Sequence, residues 1–365
     1  MMPFPSALRH AVRGVAVLAV ASAPLFAQDV QQQVAADRAL LAKETYVTPP
    51  AAIEQLVTAP WQQNVTFGAQ SPDRTRFLRE VGGGLPTVNT FGKPHYYFAG
   101  LQVDYQANRS RALTDRGAVG LQVIDGATGK ATSIEVPAGA TVSSPVWSPD
   151  GSQVAFIANF ENATQAYVAD ASTGKSHQVT RTPLLATLVT TLDWTHDGKS
   201  LVVVQLPDNR GPEPKRPAIA TGPTVRMNDG EKRPNREFAS LLDDPYDKAQ
   251  MEYYVTGQLA VVDVKTRATR KVGAPAMIQD VDASPDAKYF RVTVMQKPFS
   301  YLTQYTSFGS AEQLWDADGR LVATLASRPL RDGEGAGPGF GGGDTQAAQG
   351  DTAKRSFGWL PSGAL

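Results

Sequence analysis

One short pattern recurs along this chain and constrains its fold more than anything else in it. Trp147-Ser148-Pro149-Asp150-Gly151 is followed by an apolar run at 154–158. Trp194-Thr195-His196-Asp197-Gly198 is followed by another at 201–204, and Ala283-Ser284-Pro285-Asp286 by a third at 289–294. A weaker copy, Ser71-Pro72-Asp73, precedes Phe77, and a last one, Trp359-Leu360-Pro361-Ser362-Gly363, stands at the C-terminal end. In the turn, Pro presets φ and Gly accepts positive φ, so each copy reads as a tight turn feeding a buried strand.

Each unit has a second half, a strand that ends in Asp followed by a turn. Leu121-Gln122-Val123-Ile124-Asp125 runs into Thr128-Gly129, and Ala166-Tyr167-Val168-Ala169-Asp170 into Thr173-Gly174. Leu259-Ala260-Val261-Val262-Asp263 runs into Thr266-Arg267, and Leu314-Trp315-Asp316 into Asp318-Gly319. Trp147 and Trp194 are 47 residues apart, and Asp125 and Asp170 are 45 apart. A period in the forties with four short strands per unit is the requirement of a β-propeller blade. Long helical periodicity is absent, and a β-sandwich explains the turns only as coincidence. The expected fold is all-β: an incomplete β-propeller of several four-stranded blades in an open arc, after an N-terminal signal peptide. Blades bury their faces against their neighbours, so such an arc leaves flanks to be covered.

The rhythm divides the chain into residues 1–27, a signal peptide; 28–70, a segment leading into the propeller; and 71–365, a truncated propeller. Two stretches interrupt the last. Asp170 and Asp263 are 93 residues apart, and much of that span is an insertion at 207–256. Pro207, Pro212, Pro214, Pro217, Pro223, Pro234 and Pro245 forbid continuous regular structure there, apart from one short helix near its end. Its Phe238, Leu241, Leu242, Tyr246, Met251, Tyr253 and Tyr254 are too apolar for a solvated linker, so it is expected to pack over the propeller. Residues 333–350 are Gly-rich and read as a loop.

The first residues carry a targeting pattern. Arg9, His10 and Arg13 precede an apolar stretch of 13 residues at 14–26, too short for a span of about 20. Ala27 stands where cleavage is expected. The chain contains no cysteine, which excludes disulfides, thiolate catalysis and Cys-based metal sites. An exported, cysteine-free chain fits a bacterial periplasmic or secreted location. Lys plus Arg and Asp plus Glu both number 35, so no electrostatic footprint for nucleic acid exists.

A further set of pieces is more specific than the turns. Arg210-Gly211-Pro212-Glu213-Pro214 and Thr221-Gly222-Pro223 are followed by Leu241-Leu242, Tyr253-Tyr254 and Gln258-Leu259. Ser284-Pro285-Asp286 comes next, and residues 291–297 then run into Pro298-Phe299-Ser300-Tyr301. In this order and spacing the chain resembles the N-terminal propeller of the prolyl oligopeptidase family of serine peptidases, its glutamyl endopeptidase branch, from about Tyr46 to about Leu330. The resemblance implies a hydrolase lineage in which an α/β-hydrolase domain carrying Ser, Asp and His follows the propeller. It transfers no catalytic residue to this chain.

No Gly-x-Ser-x-Gly elbow occurs. Beyond the signal there are three histidines, His95, His177 and His196, each at a packing or turn position. Asp316-Ala317-Asp318-Gly319 begins like a calcium loop, but its twelfth position is Ser327 rather than Glu. Gly337-Pro338-Gly339-Phe340-Gly341-Gly342 follows no strand and opens no helix, so it is not a dinucleotide site. No catalytic, cofactor-binding or metal residue and no cofactor is therefore expected. The expected partners are a peptide substrate or a peptidase domain, not nucleic acid and, after signal cleavage, not a membrane. The rival reading is a stand-alone periplasmic propeller that binds a protein or ligand, similar to the propeller of the Tol system. A propeller hydrolase using its own carboxylates is a third.

Overall fold

The computed structural model describes residues 67–83, 86–219, 239–332, 357–360, 363 and 365, with short pieces between 34 and 58. The expected signal peptide at 1–27, the Gly-rich loop at 333–350 and residues 220–238 of the insertion lie outside the described residues. Two compact units are present, Met1–Ala59 and Pro60–Leu365. The first contains helix α1 (Ala51–Thr58). Among its described residues the second contains four antiparallel four-stranded sheets and one smaller sheet.

The first sheet pairs β1 (Phe67–Gln70) and β2 (Arg76–Val81) with β6 (Gly120–Asp125) and β7 (Ala131–Ile134). Between β2 and β6 the chain forms helix α2 (Val88–Phe91) and a small sheet of β3 (Tyr96–Phe98), β4 (Leu101–Asp104) and β5 (Arg109–Ser110). Helix α3 (Arg111–Asp115) follows. The second sheet is β8 (Thr141–Trp147), β9 (Gln153–Asn159), β10 (Thr164–Asp170) and β11 (Ser176–Gln178). The third is β12 (Asp193–Trp194), β13 (Ser200–Gln205), β14 (Gln258–Asp263) and β15 (Thr269–Lys271), with helix α4 (Pro245–Val255) before β14. The fourth is β16 (Ile278–Ala283), β17 (Tyr289–Met295), β18 (Ser310–Asp316) and β19 (Leu321–Arg328). Among the described residues the sheets do not close into a barrel; they are propeller blades.

The turns form for local reasons. The hydroxyls of Ser71, Ser148, Thr195 and Ser284 each donate to the Asp two residues on, at 2.5, 2.6, 2.7 and 2.7 Å. The fourth residue takes positive φ and donates its N–H to the first residue's carbonyl: Arg74, Gly151, Gly198 and Ala287, at 2.8–2.9 Å. These hydrogen bonds hold the Asp73 carboxyl at about 2, well below the usual range. The second kind of turn uses Asp125, Asp170 and Asp263, whose Oδ1 accepts from the backbone N–H and hydroxyl of Thr128, Thr173 and Thr266. Asp316 does the same for the amides of Asp318 and Arg320, which explains its calcium-like spacing as a strand-end turn. Gly174 has φ +74°, and a Cβ there would lie 2.0 Å from the Ser133 carbonyl oxygen, so this turn excludes any side chain.

The sheets stack in chain order. Leu78, Leu121 and Val123 of the first pack on Val154, Phe156 and Ala158 of the second. The other face of the second, with Ala155, Ile157 and Val168, meets Leu201, Val203 and Val262 of the third. The third then offers Val202, Val204 and Leu259 to Phe290, Val292 and Trp315 of the fourth. Central strands buried on both faces explain why 154–158 and 201–204 are continuous apolar runs rather than alternating ones.

Candidate functional site on the insertion face

Antiparallel strands place alternate connections at opposite ends of a sheet. The Ser-Pro-Asp and Asp-Thr-Gly turns join first to second and third to fourth strands, so they share one end. Second-to-third connections lie at the other, and three of the four are long: 82–119, 206–257 and 296–309. Only the second sheet makes this connection briefly, through residues 160–163.

The three long connections converge. Phe98, Leu101 and Val103 share one core with Leu242, Met251, Tyr254 and Val255, and with Met295, Phe299 and Phe308. Tyr254 stacks on Phe98 with centroids 6.0 Å apart and tilts against Tyr96 at 5.6 Å. Lys248 of α4 lies 3.7 Å over the Tyr301 ring, and Lys297 pairs with Glu252 at 2.7 Å. The 207–256 insertion therefore packs across the neighbouring connections and not on its own blade alone.

The segment Arg210-Gly211-Pro212-Glu213-Pro214 is the joint between these parts. The Arg210 guanidinium lies 3.7 Å from the Tyr253 ring centroid and 5.2 Å from that of Tyr254. It donates to Asn108 Oδ1 at 2.5 Å and to the Tyr253 carbonyl at 2.9 Å. Glu213 accepts from Gln250 Nε2 at 2.9 Å. Burial, reinforced by the Glu213 carboxylate, pushes the Tyr96 hydroxyl up to about 12 and the Tyr254 hydroxyl higher still. Both phenols thus stay protonated beside Glu213.

A second polar centre anchors the first connection. Asp104, 1% exposed, pairs with Lys93 Nζ at 2.9 Å and Arg109 Nη2 at 3.4 Å, and accepts from Thr114 at 2.7 Å. Arg109, 3% exposed, also donates to the Phe160 carbonyl at 2.7 Å, tying this connection to the second sheet.

Two adjoining cavities open on this face, of about 310 and 260 Å³, and share Leu101, Ser110 and Tyr305. The larger adds Thr187, Leu188, Thr190 and Gln279. The smaller adds Gln102, Arg111, Asp115 and Arg116. The walls mix apolar surface with donors and acceptors of both signs. Asp115 accepts from Arg111 Nε at 2.8 Å through Oδ2, while its buried Oδ1 has no partner among the described residues.

The three histidines singled out in the sequence occupy packing and turn positions. His95 is held by Arg111 and the Lys93 carbonyl, His177 by the Val264 carbonyl, and His196 is an exposed turn residue. Among the described residues no cluster of three potential metal ligands occurs.

One carboxylate escaped sequence reasoning. Asp193, on the first strand of the third sheet, is pushed up to about 6 by burial and by Asp282 and Asp280. Nothing in the sequence marks it, because Asp280 and Asp282 lie almost ninety residues away. Its folded value exceeds its unfolded one, so the folded carboxyl holds a proton that the unfolded chain releases. Its cost is absent near pH 4, grows as pH rises through 6, and is constant above. Asp193→Asn should therefore stabilise the protein by about 1–3 kcal/mol at pH 7.5 and by nearly nothing at pH 4. Paired urea titrations at the two pH values test this; an equal effect at both would refute it.

No family model matches the chain. It is similar to a probable chloroplastic glutamyl endopeptidase of Oryza sativa subsp. japonica, 27% identical over 297 residues, covering 78% of this chain and 31% of the relative. The corresponding protein of Arabidopsis thaliana is 29% identical over 296 residues, 78% of this chain and 30% of the relative. The chain thus spans less than a third of the length of these relatives. Among solved structures, the β-propeller domain of the Trilobed protease from Pyrococcus furiosus is 12% identical with a TM-score of 0.38, covering 72% of this chain and 56% of that one.

Proposed function

We propose that this chain, the propeller portion of a prolyl-oligopeptidase-family serine peptidase, acts as a non-catalytic cover that controls which peptides reach a hydrolase domain. The observation that carries this reading is the insertion face. Three connections from three different blades build one apolar-cored platform there, beside two adjoining cavities of mixed polar and apolar lining. A surface of this kind suits docking of a second domain while leaving a passage for an extended peptide. Acyl transfer needs a nucleophile, a base and prearranged donors for the oxyanion, and the chain has no Gly-x-Ser-x-Gly elbow to supply the first.

The isolated chain should therefore not hydrolyse peptides carrying Glu at the cleavage position, whereas the protein extended by its downstream reading frame should. Turnover by the isolated chain, abolished by a serine-directed inhibitor, would overturn the reading. A downstream frame that closes the propeller without a Gly-x-Ser-x-Gly segment would favour a binding propeller instead. We also propose export with cleavage after Ala27, which N-terminal sequencing of the mature protein decides.

A further inference from the structure

The two cavities on the insertion face are lined by polar groups that the fold itself leaves unused. Gln102, Ser110, Arg116 and Tyr305 border the smaller one, and Thr190 and Gln279 join Ser110 and Tyr305 around the larger. None of these six side chains has a hydrogen bond or ion pair with another residue of the chain. Their neighbours are engaged. Thr187 donates to the Tyr254 carbonyl at 2.9 Å, and Arg111 is held by Asp115, His95 and the Phe91 carbonyl.

Two of the unused groups are set by irregular backbone. On β16, Ile278 pairs with Val294 and Asp280 with Thr293, so Gln279 has no partner residue on β17. It is the extra residue of a bulge, which redirects a side chain that regular pleating would place elsewhere. Between β3 and β4, Ala99 is held at φ +49° without glycine's freedom, and its carbonyl accepts from the Tyr305 N–H at 2.8 Å. That bond fixes Tyr305 where both cavities meet. The charges are uneven. The larger cavity has no charged residue in its wall, and the smaller has Arg111, Asp115 and Arg116. Arg111 and Asp115 pair at 2.8 Å, which leaves the exposed Arg116 guanidinium as the uncompensated charge.

We infer that Arg116 is a specificity-determining residue that seats a carboxylate of a bound peptide in the smaller cavity, while Thr190, Gln279 and Tyr305 hold the adjoining peptide units in the larger. This rests on the reading of the chain as a cover that controls peptide access. A guanidinium matches a carboxylate with two parallel N–H donors, and one such group balances the single unpaired charge. A phosphate dianion would meet one free cation and the neighbouring Asp115 carboxylate. The carboxylate belongs either to an acidic side chain or to a peptide C-terminus, and both present the same two oxygens.

Calorimetric binding to the unaltered chain tests this with three acetylated alanine pentapeptides. One has a central Glu and an amidated C-terminus, the second a central Gln and an amidated C-terminus, and the third a central Gln and a free C-terminal carboxylate. At least one carboxylate peptide should bind about tenfold tighter than the neutral one, and the tighter of the two identifies the source. Arg116→Gln should abolish the discrimination and Arg116→Lys should retain part of it. Both variants should melt within about 2 °C of the unaltered chain, because no bond within the fold is lost. Gln279→Ala should weaken all three peptides by a similar factor, about 3-fold, and leave their ratio unchanged. Equal affinities in the unaltered chain, discrimination that survives Arg116→Gln, or no binding of any peptide at about 1 mM would overturn the carboxylate seat. The cover reading fails separately, on turnover by the isolated chain. A downstream-extended protein that hydrolyses peptides and discriminates equally with and without Arg116 would refute the seat alone.

Discussion

Phe156→Asp should unfold the protein. The ring is wholly buried between the first and second sheets, in one cluster with Leu78, Leu121 and Trp147, and stacks on Tyr167 with centroids 5.7 Å apart. The substitution removes the apolar contacts, worth about 3–5 kcal/mol for a phenylalanine, and places a carboxylate where no cation lies within the cluster. The sum approaches the whole stability of an ordinary domain, about 5–15 kcal/mol. Phe156→Leu roughly conserves volume and should cost less than about 1.5 kcal/mol. Near-UV circular dichroism and soluble yield separate the two variants. A soluble Phe156→Asp protein with unchanged melting temperature would contradict the stacked-sheet core.

Arg109→Met should be the next most damaging change, at about 3–5 kcal/mol, because it leaves a buried carboxylate short of a partner. Asp104 would retain Lys93 and Thr114, but the guanidinium's bonds to Thr114 and the Phe160 carbonyl would vanish. The melting temperature should fall by about 10 °C. The loss should concentrate where the first connection meets the second sheet, so exchange should rise at β5 and at residues 160–163 before the distant β18 and β19. A shift below 2 °C would mean that Asp104 is adequately served without Arg109.

The effects differ in kind. Phe156 holds two blades together, and any propeller needs such a residue at each seam. Arg109 holds an insertion onto the propeller, and that joint belongs to this chain's particular platform. The proposed function depends on the second kind of contact, since a displaced platform would lose the groove shared by Leu101, Ser110 and Tyr305.

What the sequence determined by itself was everything that residues close along the chain decide. The Ser-Pro-Asp and Asp-Thr-Gly turns form from hydrogen bonds within five residues, so the strands on either side, and hence the blades, were readable from spacing alone. Residues 154–158 and 201–204 announced burial on both faces because no polar residue alternates in them. A short helix was expected near the end of the insertion, and α4 lies there, with the Asp244 side chain accepting from the Asp247 amide at its start. Tertiary structure alone decided where the insertion lies, which residues the segment Arg210-Gly211-Pro212-Glu213-Pro214 grips, and that Asp193 shares its surroundings with Asp280 and Asp282. Tyr254 meets Phe98 across more than 150 residues of chain, and Trp359 meets Asp282 across 77. Such partners carry no local signal, because the hydrogen bond or ring contact exists only once blade stacking has brought two distant segments to the same end of adjacent sheets.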